Sequence, residues 1–494
     1  MMDRKIPRVS MFSATFLVAV VLVFSASSVF AQEAPPQDTQ PQENPGQAPA
    51  PPKAAGRDYH PFGDDQDDSQ SQSTLTPDTV PLTGVLVPGV GTQEMRHSYW
   101  VPGFQYGNLI RSAGLNQAAG TGSDWNSTSF VAGNVSLLEN WSRSQLTVNY
   151  SGGGTFSTDN RQGNGYYHQL GLVQAFNWRR WQLSFIDQFS YLPQAQFGFG
   201  AGSTLATPGV GGSLGSSVPG LQTSYQPNQS VFAALGSRYS NSITTQLAYS
   251  VSPRGSVTFA GSYGLLRFVE PGNIDSNDAI FSVGYDYSLS RNDTIGMLYR
   301  FSNYRYLGDP QAIQDHVAQV AYGRKVTGRL ALQLFVGPEV TRFRLQGAGF
   351  SDRTSVSGGA NLTYAFSRSH LSVSYNHGVS GGSGVFTGSN SDSTQGYLDR
   401  QLSRLWRGNI SFGYSRNASL ASGSASTVLP IFNSWFAGGG LDRPLGRTAN
   451  ISVAYSAYLQ KTSQSGCVGS ACSTDLQHQI SVSFQWHTRP LVLR

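Results

Sequence analysis

The feature that most constrains this chain is an apolar/polar alternation of period two that recurs from about residue 99 to the C-terminus. In the last instance Ile480, Val482, Phe484 and Trp486 alternate with Gln479, Ser481, Ser483, Gln485 and His487. Successive side chains of a strand point to opposite faces, so this run is a β-strand with one greasy and one wet face. The same reading holds for Leu146-Val148-Tyr150, Val257-Phe259-Tyr263, Phe281-Val283-Tyr285-Tyr287-Leu289 and Leu330-Leu332-Leu334-Val336. It holds again for Leu362-Tyr364-Phe366, Leu371-Val373-Tyr375, Ile410-Phe412-Tyr414 and Ile451-Val453-Tyr455. One such run is weak evidence. Many, each about ten residues long, are the signature of a transmembrane β-barrel.

The wet faces explain why a soluble fold is the poorer reading. They carry Ser, Thr, Asn, Gln and Gly, and charged residues are only 12% of the chain, about half the usual share. Beyond residue 97 the only lysines are Lys325 and Lys461. A soluble sandwich would expose Lys and Glu and pack its apolar faces together. Small polar residues suit a water-filled interior.

Connections alternate too. Short ones are 139–143, 178–180, 252–255, 290–293, 327–328 and 368–369. Long ones are 154–164, 191–227, 269–277, 381–392, 419–430 and 461–474. Short turns at one rim and long loops at the other fit an outer-membrane barrel with the short side periplasmic. The hairpin count gives an all-β, antiparallel, up-and-down barrel of about 18 strands, within 16–18, over residues 99–487.

The N-terminus reads as an export signal. Arg4, Lys5 and Arg8 precede an apolar run from Met11 to Phe24, and Val29-Phe30-Ala31 is an acceptable cleavage site, so residues 1–31 are a signal peptide. Residues 32–74 are rich in Pro, Gln, Ala, Asp and Ser and should form a disordered linker. Residues 75–98, with Leu75, Val80, Leu82, Val85, Leu86 and Val87, form a short periplasmic or plug-like segment. The expected location is the bacterial cell outer membrane. Residues 97–494 hold 27 basic and 17 acidic residues. Export and the lack of clustering argue against nucleic acid as a partner.

Catalytic signals are weak. Gly211-Gly212-Ser213-Leu214-Gly215 matches a nucleophile pattern but lies in a Gly/Ser-rich loop, not a strand-to-helix elbow. The eight histidines show no metal-binding spacing. His377 is read on a wet strand face, and it and His316 read as polar rim residues. Cys467 and Cys472 suggest a loop disulfide. No enzyme activity, metal or cofactor is expected. Lumen-facing candidates are Asp286, Arg300, Gln333, Glu339, Asp399, Gln401 and Gln485. Candidates for the lipid-interface girdle are Tyr455, Trp486 and Trp181. Thirteen basic residues, from Arg143 to Arg447, sit at the short turns, where guanidinium groups could meet lipid phosphates.

Residues 97–494 resemble bacterial outer-membrane β-barrel proteins of porin size. That resemblance implies a final strand with a terminal aromatic, read by the barrel-assembly machinery. Phe484 and Trp486 match, but the chain runs on as Thr488-Arg489-Pro490-Leu491-Val492-Leu493-Arg494. The expected function is a porin-like channel for passive diffusion of small hydrophilic solutes. Alternatives are a barrel component of an exopolysaccharide or secretion system, and a structural or adhesive surface barrel. Expected partners are outer-membrane lipids, the assembly machinery and small solutes, with homo-oligomerisation left open.

Overall fold

The structure is a computed structural model. It describes residues 82–83, 98–112, 125–158, 164–192, 237–269, 273–308, 311–345, 349–382, 387–420, 431–462 and 476–493. The expected signal peptide and linker, all of the 75–98 segment but residues 82, 83 and 98, the glycine-rich motif at 211–215 and both cysteines lie outside these residues.

The described chain is all-β. Its strands are β1 (Tyr99–Ser112), β2 (Trp125–Asn140), β3 (Ser144–Ser157), β4 (Gly165–Asn177), β5 (Trp181–Leu192), β6 (Arg238–Ser252), β7 (Gly255–Phe268), β8 (Ser276–Ser288) and β9 (Asp293–Tyr306). They continue with β10 (Ala312–Lys325), β11 (Leu330–Leu345), β12 (Gly349–Ala365), β13 (Ser369–Gly382), β14 (Thr387–Gln401), β15 (Arg407–Ser419), β16 (Ile431–Pro444), β17 (Ala449–Thr462), β18 (Gln477–His487) and a short β19 (Leu491–Val492). Each pairs antiparallel with the next up to β18, and β18 pairs with β1 over Gly103↔His487 to Arg111↔Gln479. The sheet is therefore a closed barrel of 18 strands. Closure pairs every strand edge, which a hydrocarbon environment demands because unpaired backbone groups there cost several kcal/mol each.

The C-terminal tail rejoins the sheet. After His487 the chain bulges and Leu491 and Val492 pair with Trp100 and Tyr99. Thr488 N donates to Pro102 O and Leu493 N donates to Ser98 O, both at 2.9 Å. Three residues, 488–490, stand opposite two on β1, so this is a β-bulge that extends the last strand to the rim.

The alternation sets which face is which. Ile480, Val482, Phe484 and Trp486 are exposed on the outside, while Gln477 and Gln479 are buried inside. All eight tryptophans lie between 38% and 51% exposed, whereas a soluble fold would bury most of them. Trp406, just before β15, and Tyr414 on it are eight residues apart, and Trp141, in the turn before β3, and Tyr150 on it are nine. At a rise of about 3.3 Å per residue and a tilt of 35–45° that is about 20–25 Å, the height of the apolar band of a membrane barrel. A charge inside this band should be costly. Val453→Arg, on β17 between the level of Trp486 and that of Tyr455 and 45% exposed, should destabilise the barrel by about 2–4 kcal/mol, measured by urea unfolding in vesicles, while the lumen-facing Ala454→Ser should be near neutral.

Two of the expected loops are shorter than the sequence suggested. Strands β3 and β4 continue to Ser157 and from Gly165, and only 383–386 separate β13 from β14. In both places pairing persists above the apolar band, so the grease that marked the strands stops before the strands do.

Candidate functional site: the lumen and its two insertions

The interior face is built by the polar halves of the alternations. Buried Ser and Thr dominate it, with Ser184, Thr244, Thr258, Ser302, Ser415, Ser434 and Ser456 each at 0–1% exposure. Charges of both signs are set among them. Of the sequence candidates, Arg300, Gln333, Asp399 and Gln485 share this inner face. Arg300 pairs with Asp315 at 3.9 Å. Asn361 Nδ2 donates to Gln333 at 3.4 Å. Asp399 and Arg407 are 3.9 Å apart. Gln485 stands opposite Gln105. Gln401 is exposed at the short-turn rim rather than deep in the bore. Arg111, Arg238, Asp278, Asp315 and Asp442 are further charges on the inner face; their parity in each strand was the available signal.

Asp286 is covered. Residues Leu82 and Thr83 lie against the inner wall near the short-turn end. Thr83 N donates to Asp286 Oδ1 at 3.1 Å and Thr83 Oγ1 donates to Oδ2 at 2.6 Å. The wall is shaped for this contact. A Cβ on Gly284 would collide with the Thr83 side chain, and one on Gly296 would come within 2.9 Å of Thr83 Cγ2. Gly323 faces Leu82 at 3.2 Å. Three neighbouring strands therefore offer glycine where Leu82 and Thr83 rest. Leu82 and Thr83 thus stand inside the barrel.

Glu339 is covered from the other end. Strand β12 pairs with β13 only up to Gly358↔His377. Above that level the β13–β14 hairpin turns inward across the inner face of β9–β11. Val379 N donates to Glu339 Oε1 at 3.0 Å, and Ser355 Oγ donates to Oε2 at 2.8 Å. Tyr306 OH donates to Gly381 O at 2.8 Å, although β9 and β13 are separated by three strands. Thr387 Oγ1 donates to Gln311 Oε1. Beneath the hairpin Tyr304, Tyr306, Ile313, Val379 and Leu420 form a buried apolar cluster. Burying these side chains stabilises the inward fold by about 1.5–3 kcal/mol each. A second cluster, Phe130, Ala132, Tyr167 and Leu192, lies on the opposite wall.

The outer face carries its own pattern. His316 and His377 are on it, not on the wet face, because His377 shares the parity of Tyr375. Tyr150, Tyr299 and Tyr455 bond through their hydroxyls to His168, His316 and His478 at 2.8–2.9 Å. Tyr375 bonds Asp392 and Tyr414 bonds Asn433 in the same way. Each partner lies two residues nearer the long-loop rim than the tyrosine's direct cross-strand neighbour. Tyr455, Trp486 and Trp181 are 46%, 43% and 43% exposed on this face, with Tyr455 in the upper row and both tryptophans in the lower. The short-turn arginines lie beyond the lower row, and Arg443 rests 5.3 Å over the Trp406 ring.

No family model matches the chain, and no curated protein matches it. Among solved structures it is similar to the outer membrane protein OpdK of Pseudomonas aeruginosa, at 11% identity and a TM-score of 0.40, over 79% of this chain and 99% of that one. It is similar to OccAB3 of Acinetobacter baumannii at 9% identity and a TM-score of 0.40, over 79% of this chain and 99% of that one. OccAB1 of the same organism gives 12% identity and a TM-score of 0.40, over 80% and 97%.

Proposed function

We propose that this protein is an outer-membrane channel for passive diffusion of small hydrophilic solutes. The observation that supports it best is the pairing of an apolar outer face with an inner face of small polar residues and mixed charges, in one closed barrel of 18 strands. A ring of this size encloses an aqueous path unless something fills it. Here the path is narrowed from both ends, by Leu82–Thr83 below and by the β13–β14 hairpin above. The inner charges are of both signs, and two opposite pairs stand at 3.9 Å, Arg300–Asp315 and Arg407–Asp399. Such a wall passes polar solutes without strong preference for one sign. Nothing in this reading requires a catalytic group or a cofactor.

The test is single-channel conductance of the purified full chain in a planar bilayer of neutral lipid. Stable, voltage-independent open steps are the expected result. A tight seal would sink the passive-channel reading and favour the alternative of a barrel that serves an export system and opens only with its partners.

A further inference from the structure

On the outer face, between β6 and β9, lies a groove of about 530 Å³ lined by Leu247, Phe259, Phe281, Val283, Tyr299 and Phe301. Gly261 leaves it open: a Cβ there would meet only the Phe281 ring, at 3.5 Å. The volume falls within the range of small-ligand pockets of about 300–1,000 Å³. Every one of these side chains points away from the lumen, so solutes in the bore do not reach it.

The upper end of the groove is polar and cationic. Tyr299 OH bonds His316 Nδ1 at 2.8 Å, and the Phe301 ring lies 4.9 Å from the imidazole. Where the tyrosine donates to Nδ1, the other ring nitrogen carries the proton and is a donor on the far edge. Above it, Arg267 is fixed by hydrogen bonds from NH1 to Ser276 O at 2.7 Å and from NH2 to Asn277 Oδ1. Asn277 stands directly opposite Arg305, which is exposed. Two guanidinium groups thus flank one point at the head of an apolar slot. Among the described residues one acidic side chain lies beside this point, Asp275 just before β8, whose Oδ1 accepts from Phe268 N at 2.9 Å, so one carboxylate stands against two guanidinium groups and the head of the slot keeps a net positive charge.

We infer that this groove binds one lipid, with an acyl chain along Phe259, Gly261 and Phe281 and a phosphate-bearing headgroup held by Arg267, Arg305 and His316. The assignment rests on the membrane-spanning reading given above. Charge complementarity selects the occupant. Guanidinium forks bind phosphate oxygens in pairs, a neutral lipid would leave the net positive charge of this point uncompensated, and a second copy of this chain would present its own arginines to it. The site lies at the height of the tyrosine row, where the apolar band ends and headgroups begin.

The experiment is native mass spectrometry of the purified full chain released from mixed micelles. The micelles hold equal amounts of a lipid A carrying phosphate monoesters and the same lipid A after dephosphorylation. The wild type should retain the phosphorylated form over the other by about tenfold, as one or two charge-assisted contacts would give. Arg305→Gln should abolish that preference, and Gly261→Leu should remove the retained lipid of either form. Inorganic phosphate in millimolar excess should not displace it, because the groove contributes through the acyl chain. Equal retention of the two lipids by the wild type would overturn the proposal without any mutant. So would a preference that survives in Arg305→Gln, or displacement by inorganic phosphate. Heat-shifted gel mobility confirms that each variant is a folded barrel. Conductance in neutral lipid is read separately, so failure of lipid retention and failure of the channel reading are distinguishable.

Discussion

Asp286→Ala is expected to raise the single-channel conductance, and to do so to the same level as deletion of residues 75–90. The reason is the contact with Thr83, which joins positions 203 residues apart. Its two shorter hydrogen bonds are 3.1 and 2.6 Å and both end on a carboxylate. Hydrogen bonds to a charged group contribute about 1.5–3 kcal/mol each, and water in the bore favours the lower figure. Losing both takes about 3 kcal/mol from the docked state, or about a 100-fold change in its equilibrium. Asp286→Asn keeps an acceptor for Thr83 and should fall between. Gly284→Val acts from the other side, since its side chain would occupy the space Thr83 fills. It should match Asp286→Ala in conductance although the carboxylate is intact. If all these variants conduct like the wild type, Leu82 and Thr83 do not stand in the solute path.

The barrel itself was legible because a lipid-facing strand must repeat grease at every second position. Tyr150, Val283, Ile410 and Phe484 all obey that rule, and each faces outward. The strand number was legible because short and long connections alternate. What was not legible lies where the lipid constraint ends. Ser389-Asn390-Ser391-Asp392-Ser393 contains no apolar residue, yet it is paired strand in β14. The seven residues after His487 looked like surplus, because a two-residue strand beyond a bulge and a proline leaves almost no periodic signal. Asp286 and Glu339 were visible as inward polar residues. Their occupants, Thr83 and Val379, were not, because hydrogen bonds across a lumen have no sequence spacing. The Tyr–His pairs were within reach: parity assigns both residues to the outer face, and register would have joined them.

The hairpin at the opposite end makes the second large prediction. Gly388 has φ +66°, a left-handed backbone conformation that disfavours a β-branched residue, and a Cβ there would strike the Ile313 side chain. Gly388→Val therefore adds backbone strain of about 1–3 kcal/mol to a steric clash. Glu339→Ala removes the acceptor of Val379 N, at 3.0 Å and fully buried. Together they oppose what holds the hairpin down: that bond, the Tyr306 hydroxyl on Gly381, and the apolar cluster around Ile313. The double variant is expected to release the hairpin from the wall. Its measure is the reactivity of a cysteine placed at Ser389, a near-isosteric replacement on the hairpin that is 0% exposed, toward a water-soluble thiol reagent. The read-out is made in a background with Cys467 and Cys472 replaced by serine. Labelling should rise by about tenfold or more, in proportion to the open population, and conductance should rise with it. Labelling that rises while conductance does not would mean that the hairpin lines the wall without narrowing the path. Labelling that stays at the level of the single cysteine variant would show that the apolar cluster alone keeps the hairpin in place. The polar contacts would then set its register, and Phe343 and Leu420, which pack on the same cluster, would be the residues to truncate.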